Sequence, residues 1–476
     1  MIARPDPAHV SANRGAAGVD GQTLAQFDED LKSNLYRIWN RMSSGSYMPT
    51  RVRRVDIPKS DGRTRPLGVP TVADRIAQMV VKRRLEPGLE AVFHEDSYGY
   101  RPGRSAHQAL GMARRRCWDK DWVLDLDIKG FFDNIDHELM MRAVRRHTNS
   151  TWERLYIERW LKAGVQMPDG SVVDSDKGTP QGGVISPLLA NLYLHYAFDV
   201  WIRKHYPRIE FERYADDVIC HCHSQAQATE LWRALTQRMQ ECKLELHPQK
   251  TQIAYCRDGK RRGDYAQGQF DFLGYTFKPR RAITRRGRLF TNFAPGVSDA
   301  AGKAMRQTMR RWQVARRSDL DLQTMAKWME PRLKGWVQYY GRYNKSALGS
   351  ALRSLDYALM RWAQRKYKRL KRERVGVRSC NQTNYGQGAR DRSCFHTLTR
   401  RSRRSSGGAQ CIRQAKGARK AGAGLRVGKG VFHTQLGEGV LLTLEGKGPD
   451  ARAQVNFGRH GVKWLQLSIT KLIPID

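Results

Sequence analysis

The stretch Phe211-Glu-Arg-Tyr-Ala-Asp-Asp-Val-Ile-Cys220 sets two adjacent carboxylates between apolar, β-forming runs. This pattern reads as the tip of a β-hairpin. Side by side, ionised Asp216 and Asp217 repel each other, and a divalent cation relieves that repulsion. A lone Asp-Asp is more often an ordinary turn. What weighs against that reading here is a second acidic motif about 90 residues earlier.

That motif is Trp122-Val-Leu-Asp-Leu-Asp-Ile-Lys-Gly-Phe-Phe-Asp133. Its strict alternation predicts a strand with Leu124, Leu126 and Ile128 on one face and Asp125 and Asp127 on the other. Lys129-Gly130 breaks the strand, and Phe131-Phe132-Asp133-Asn134 leads towards a helix. A strand-end carboxylate and a distant carboxylate pair suit phosphoryl transfer with two Mg²⁺ ions about 4 Å apart. Hard oxygen ligands select Mg²⁺ over zinc.

The rest of the chain agrees with a polyanionic partner. It has 476 residues, 85 Lys+Arg against 46 Asp+Glu, and a net charge of +39. Nucleic acid is the default partner for such a balance. With 40% hydrophobic residues and 12 Trp, the chain is neither disordered throughout nor a small histone-like binder. No run of about 18 apolar residues offers a membrane span. The start Met1–His9 lacks an apolar signal core, and the eight Cys are irregularly spaced. Together these features predict a cytoplasmic protein with reduced thiols. Arg361–Arg426 holds 20 basic and 2 acidic residues, and its Ser/Gly/Arg-rich part reads as a disordered basic linker. Beyond Gly428 the balance is near neutral. Cys220-His-Cys-His223 invites a zinc reading, but one strand cannot wrap four ligands around a tetrahedral ion. The two Cys are expected on one face and the two His on the other, as core packing and surface.

Tyr214-Ala-Asp-Asp217 and Asp127-Ile-Lys-Gly-Phe-Phe-Asp133 resemble boxes of the group II intron reverse transcriptase/maturase family. The resemblance continues in order through Gly15-Ala-Ala-Gly-Val-Asp-Gly21, Ile57–Pro70, Ser97-Tyr-Gly-Tyr-Arg-Pro-Gly103, Gly178-Thr-Pro-Gln-Gly-Gly-Val-Ile-Ser-Pro187 and Phe272-Leu-Gly-Tyr275. It implies an α+β right-hand polymerase with fingers, palm and thumb, working as an RNA-directed DNA polymerase and as a maturase that assists splicing and retrohoming. It implies that Asp127, Asp216 and Asp217 are the catalytic residues and the ligands of two Mg²⁺ ions. Asp125 is read as non-ligating. Phe132 sits where a steric gate would exclude a ribose 2′-OH, although core packing explains an aromatic there equally simply. Gln181 would lie against the incoming nucleotide. Lys59, Arg63 and Arg65 flank an Asp61-Gly62 turn, where cations would face a triphosphate. Arg101 is expected to contact template phosphate.

The implied organisation is an N-terminal extension (1–50), fingers and palm (51–290), a thumb or maturase domain (300–375), the basic linker (376–427) and a terminal module (428–476). Leu352, Leu355, Leu359 and Trp362 mark a helical apolar stripe, and Trp336-Val-Gln-Tyr-Tyr-Gly341 resembles the maturase signature. The last segment is short alternating strands with Gly turns, a pattern that suggests a small β-barrel. It resembles the Tudor-like module that ends UvrD-type DNA helicases, which implies contact with RNA polymerase or another protein. Expected partners are an intron RNA template and primer, dNTPs and a DNA target, with no membrane. Two rivals are a maturase with a dead polymerase and a reverse transcriptase of another class. The intact carboxylates argue against the first, and the thumb match and Gly15–Gly21 argue against the second.

Overall fold

The computed structural model describes residues 15–58, 64–261, 263–284, 286–367, 430–433, 437–445, 452–457, 461–466 and 473–474. The chain divides into two compact units, Met1–Asn381 and Gln382–Asp476. Lys59, Arg63 and the 376–427 linker lie outside the described residues.

A four-stranded antiparallel sheet organises the first unit. Strand Trp122–Asp127 pairs with Asp217–Cys222 on one side and Gln252–Tyr255 on the other, and Glu210–Tyr214 completes the edge. The alternation read from the sequence sorts the two faces. Leu124, Leu126 and Ile128 enter a large core with Val218, Cys220, Cys222 and helix residues Leu231, Leu235 and Met239. Val123 and Ile219, on the opposite face, enter a second core with Ala109, Leu110 and Ala113 of helix Ala106–Asp119. Both faces are therefore covered. This corrects the expectation of a surface position for His221, which is fully buried and bonded through Nε2 to Glu212 Oε2 at 2.6 Å. His223, just past the strand, is exposed.

The helices flanking the sheet start where their caps dictate. Ser105 and Gln108 form a reciprocal capping box for Ala106–Asp119, and Ser224 caps Gln225–Glu241. Two further sheets build on this frame. Val52–Pro58 and Thr64–Val69 form an antiparallel hairpin extended by Val165–Gln166 and Val172–Val173. Phe270–Phe272, Tyr275–Ile283 and Leu289–Val297 form a meander. Its aromatic core of Phe270, Phe272, Phe277 and Phe293 is almost wholly buried, each ring stabilising by roughly 1.5–3 kcal/mol. Helices Asp299–Arg311, Leu322–Tyr340 and Lys345–Lys366 follow, the last burying Leu348, Leu355, Leu359 and Trp362 along one stripe.

The second unit holds a five-stranded antiparallel sheet with Val462–Gln466 at one edge and Ile473–Pro474 at the other. Val431, Leu441, Ala453, Val455 and Phe457 form its small core. Among the described residues the two edge strands do not pair, so the sheet stays open where a closed barrel was expected.

Candidate active site

The carboxylate hairpin closes on the pair Tyr214–Asp217, leaving Ala215 and Asp216 as a two-residue turn. Ala215 has φ +59°, a left-handed conformation uncommon for a residue with a Cβ. Segment 96–99 runs behind this turn. Tyr98 N donates to Arg213 O at 2.8 Å, and Arg213 N donates to Asp96 O at 2.9 Å. A Cβ on Gly99 would lie 2.3 Å from the Ala215 nitrogen, so only glycine admits this approach.

Strand Trp122–Asp127 ends where this hairpin begins. Asp127 and Asp217 are direct cross-strand partners, and Asp216 lies in the adjoining turn. The sheet thus gathers the three carboxylates expected to act together. Burial raises the pKa of Asp216, and repulsion from Asp127 adds to it, against Arg65 and Lys250. Asp217 is pushed well above the ordinary carboxylate range by burial, then by Asp125, Asp216 and Asp127. Asp125 is held inward: burial lifts it to about 7, and Gln252 Nε2 donates to its Oδ2 at 2.9 Å. Lys250 Nζ balances part of the surplus charge with an ion pair to Asp127 Oδ2 at 3.0 Å.

Among the described residues, no three His, Cys, Asp or Glu side chains form a ready-made metal cage. The donor chemistry nonetheless suits a hard divalent cation. The surplus is entirely carboxylate oxygen, and burial together with the neighbouring carboxylates raises the proton affinity of Asp216 and Asp217.

The nucleotide-side residues also converge. Arg65 Nε donates to Gln181 Oε1 at 2.7 Å. The two main chains zip together there: Gly68 N donates to Gln181 O at 2.7 Å, and Gly182, at φ +125°, presses against the Gly68 carbonyl. Phe132 is 6% exposed and packs edge-on against Phe131, with ring centroids 5.5 Å apart. Its carbonyl accepts from Thr179 N at 2.8 Å, which ties the strand-end turn to the Gln181 loop.

Arg101 departs from its expected phosphate contact. Its guanidinium pairs with Glu90 at 2.9 Å and donates to the His94 and Ser97 carbonyls at 2.6 and 2.8 Å. A half-buried acid and two carbonyls outcompete a surface role. Three residues near the carboxylates carried no sequence signal that singled them out. Lys250 sits in an ordinary polar turn. Tyr100, at φ +57° and half exposed, has its phenol pKa raised by burial and by nearby Asp216. Arg213, inside the charged strand Glu210–Tyr214, is fully buried.

Comparison with known proteins gives this geometry its family. Residues 57–277 match the reverse transcriptase (RNA-dependent DNA polymerase) model, and residues 302–380 match the group II intron maturase-specific domain. The chain is 33% identical over 308 residues to Protein YkfC of Escherichia coli, covering 57% of this chain and 77% of that protein. The chain belongs to the group II intron reverse transcriptase/maturase family. It is also 37% identical over 202 residues to the group II intron-encoded protein LtrA of Lactococcus lactis, covering 41% of this chain and 33% of LtrA. An uncharacterized 91 kDa protein in the cob intron of Schizosaccharomyces pombe matches at 32% over 177 residues, 37% of this chain and 21% of that protein.

As a member of this family the chain is an intron-encoded RNA-directed DNA polymerase. Its maturase helices are joined to the polymerase sheets by tyrosines. Tyr339 Oη donates to Leu273 O at 2.9 Å, and His107 Nε2 lies 2.9 Å from Tyr339 O. Tyr343 Oη donates to His107 O at 2.8 Å. The Trp336–Gly341 signature therefore forms part of the joint between the two matched regions.

Proposed function

We propose that Asp127, Asp216 and Asp217 hold two Mg²⁺ ions and perform RNA-templated DNA synthesis. The cross-strand pairing of Asp127 with Asp217, beside Asp216, carries this reading. When bound, the ions supply Lewis-acid stabilisation of charge on the attacking and leaving oxygens. The chain's own residues supply position. The hairpin presents Asp216 at a turn, and the end of the facing strand presents Asp127. Arg65, locked to Gln181, offers a guanidinium to the phosphates of a dNTP while Gln181 faces its base or sugar. Lys59 and Arg63 would add cationic charge for the triphosphate in this reading. Phe132, fixed through its carbonyl to Thr179, has its ring in the core and limits the room below the sugar.

In this account residues 51–290 are the fingers and palm of a right hand, 300–375 the thumb, and 1–50 an N-terminal extension. The 376–427 linker and the basic helices bind the primer–template duplex and intron RNA through phosphate and A-form shape. A DNA target engages the same basic surface. The 428–476 module, Tudor-like in strand pattern, docks a protein such as RNA polymerase and has no part in catalysis.

Primer extension on poly(rA)/oligo(dT) tests the reading. Incorporation of dTTP that requires Mg²⁺ supports it. Retained RNA binding with no incorporation at any Mg²⁺ concentration would favour a maturase whose polymerase is inactive.

A further inference from the structure

Arg213 is the largest side chain wholly shielded from solvent among the described residues. A guanidinium stays charged in proteins, and burying it is strongly unfavourable unless it is fully bonded. Its bonds reach three separate elements. Nε and Nη2 donate to Asp199 Oδ1 and Oδ2 at 2.8 and 2.7 Å, a bidentate fork. Nη1 donates to Asn191 Oδ1 at 2.9 Å and to the Ala215 carbonyl at 3.1 Å.

The partners are arranged around the carboxylate turn. Asp199 ends a π-helical turn, His195–Asp199, which follows helix Ser186–Leu194 and re-aims the chain by one residue. Asn191 Nδ2 donates to Gly99 O at 2.7 Å, clamping the segment whose glycine presses on the same turn. The Ala215 carbonyl belongs to the residue at φ +59°, next to Asp216. For a non-glycine residue that conformation is strained, and it persists only where the surroundings enforce it. The Asp199 fork alone would neutralise the guanidinium. The further bonds, to Asn191 and Ala215, go to the clamp and to the strained turn.

We propose that Arg213, held by Asp199 and Asn191, is a positioning residue for the metal-binding carboxylates. It fixes the left-handed Ala215 turn and so delivers Asp216 beside Asp127 and Asp217. This rests on the reading of those three residues as the metal site. A purely structural ion pair would govern stability alone. A positioning residue also governs metal affinity and turnover without altering duplex binding.

The full-length protein carrying Arg213→Lys tests this, since lysine keeps a charge for Asp199 but has no fork to share. Three quantities are measured: Mn²⁺ binding by EPR titration, kcat for dTTP incorporation, and Kd for poly(rA)/oligo(dT). We expect Mn²⁺ binding weakened several-fold and kcat lowered roughly tenfold to a hundredfold, with Kd unchanged within about twofold. Adding Ala215→Gly should recover part of both losses, because glycine adopts the left-handed conformation without strain. Asn191→Ala leaves the Arg213–Asp199 fork intact and should show the same losses in milder form, which keeps the proposal testable if the lysine variant does not fold. Unchanged Mn²⁺ affinity and kcat in folded Arg213→Lys or Asn191→Ala, with only a lower Tm, would overturn it. Asp217→Asn separates the two levels. Normal Mn²⁺ binding and synthesis in that variant sink the metal-site reading itself. Loss of both there, with neither lost in the Arg213 and Asn191 variants, sinks the positioning role alone.

Discussion

Asp127 and Asp217 stand directly opposite each other at the last rung between strands Trp122–Asp127 and Asp217–Cys222. Like charges in that relation destabilise a sheet. The fold offsets part of the cost with Lys250, 3.0 Å from Asp127, and in the proposed reading bound cations offset the rest. A site built against its own stability is a common signature of function.

The Gly99 contact gives a steric test. An added Cβ would meet the Ala215 nitrogen at 2.3 Å and the Tyr214 carbonyl carbon at 2.8 Å, both backbone atoms that cannot swing away. Gly99→Ala should cost roughly 1–3 kcal/mol of stability and lower synthesis, because the displaced element is the carboxylate turn. Chemical denaturation and primer extension on the same preparation check this, and an unaltered rate with unaltered stability contradicts it.

Arg65 is exposed, and among the described residues its side chain is hydrogen-bonded to the neutral Gln181, which leaves guanidinium N–H groups for phosphate. Arg65→Ala should raise KM for dNTP about tenfold or more, the size of a lost charge-assisted hydrogen bond of about 1.5–3 kcal/mol. Affinity for primer–template should stay the same. Steady-state kinetics with dTTP varied at saturating duplex reads the effect.

His195 sets an acid limit on stability. Burial lowers its pKa to about 4, helped by Arg213, His147 and Arg203 and opposed by Asp199. Between pH 6.5, its ordinary value, and about 4, the unfolded chain takes up this proton and the folded chain does not. Stability therefore falls as pH drops through that window and is fully present above it. Denaturant midpoints measured from pH 7 to pH 4.5 should decline less steeply in His195→Gln than in the native protein.

The net charge of +39 predicts an electrostatic share in RNA binding. Affinity for a structured RNA should fall at least roughly a hundredfold between about 50 and 200 mM salt, through counterion release. Filter binding across that range checks it, and a flat response removes the phosphate-contact account of the basic surface.

The carboxylate pattern and its strand alternation were readable because each depends on local spacing. A period of two sorts Leu124 and Leu126 from Asp125 and Asp127 whatever the rest of the chain does. The apolar stripe on Lys345–Lys366 is local in the same way. What escaped depends on partners far away in sequence. Lys250 acquires meaning only once the strand that follows it, Gln252–Tyr255, lies beside Trp122–Asp127. His221 is buried because a helix from before that strand covers the face assigned to solvent. Arg101 resembles a surface phosphate ligand until Glu90 and two carbonyls claim its guanidinium. Nothing local singles out Arg213, whose partner Asp199 ends a π turn that no periodicity announces. Barrel closure in the second unit likewise depends on edge pairing, and alternation alone says nothing of edges.

The most direct measurement is single-turnover primer extension by Asp216→Asn beside the native protein, with RNA affinity measured on the same samples. Synthesis should disappear, by at least roughly a thousandfold, while RNA binding stays within about twofold, since the substitution removes one charge from a surface carrying a large positive excess. Extension that survives at near-native rate would show that the carboxylates gathered at this hairpin do not form the polymerase centre.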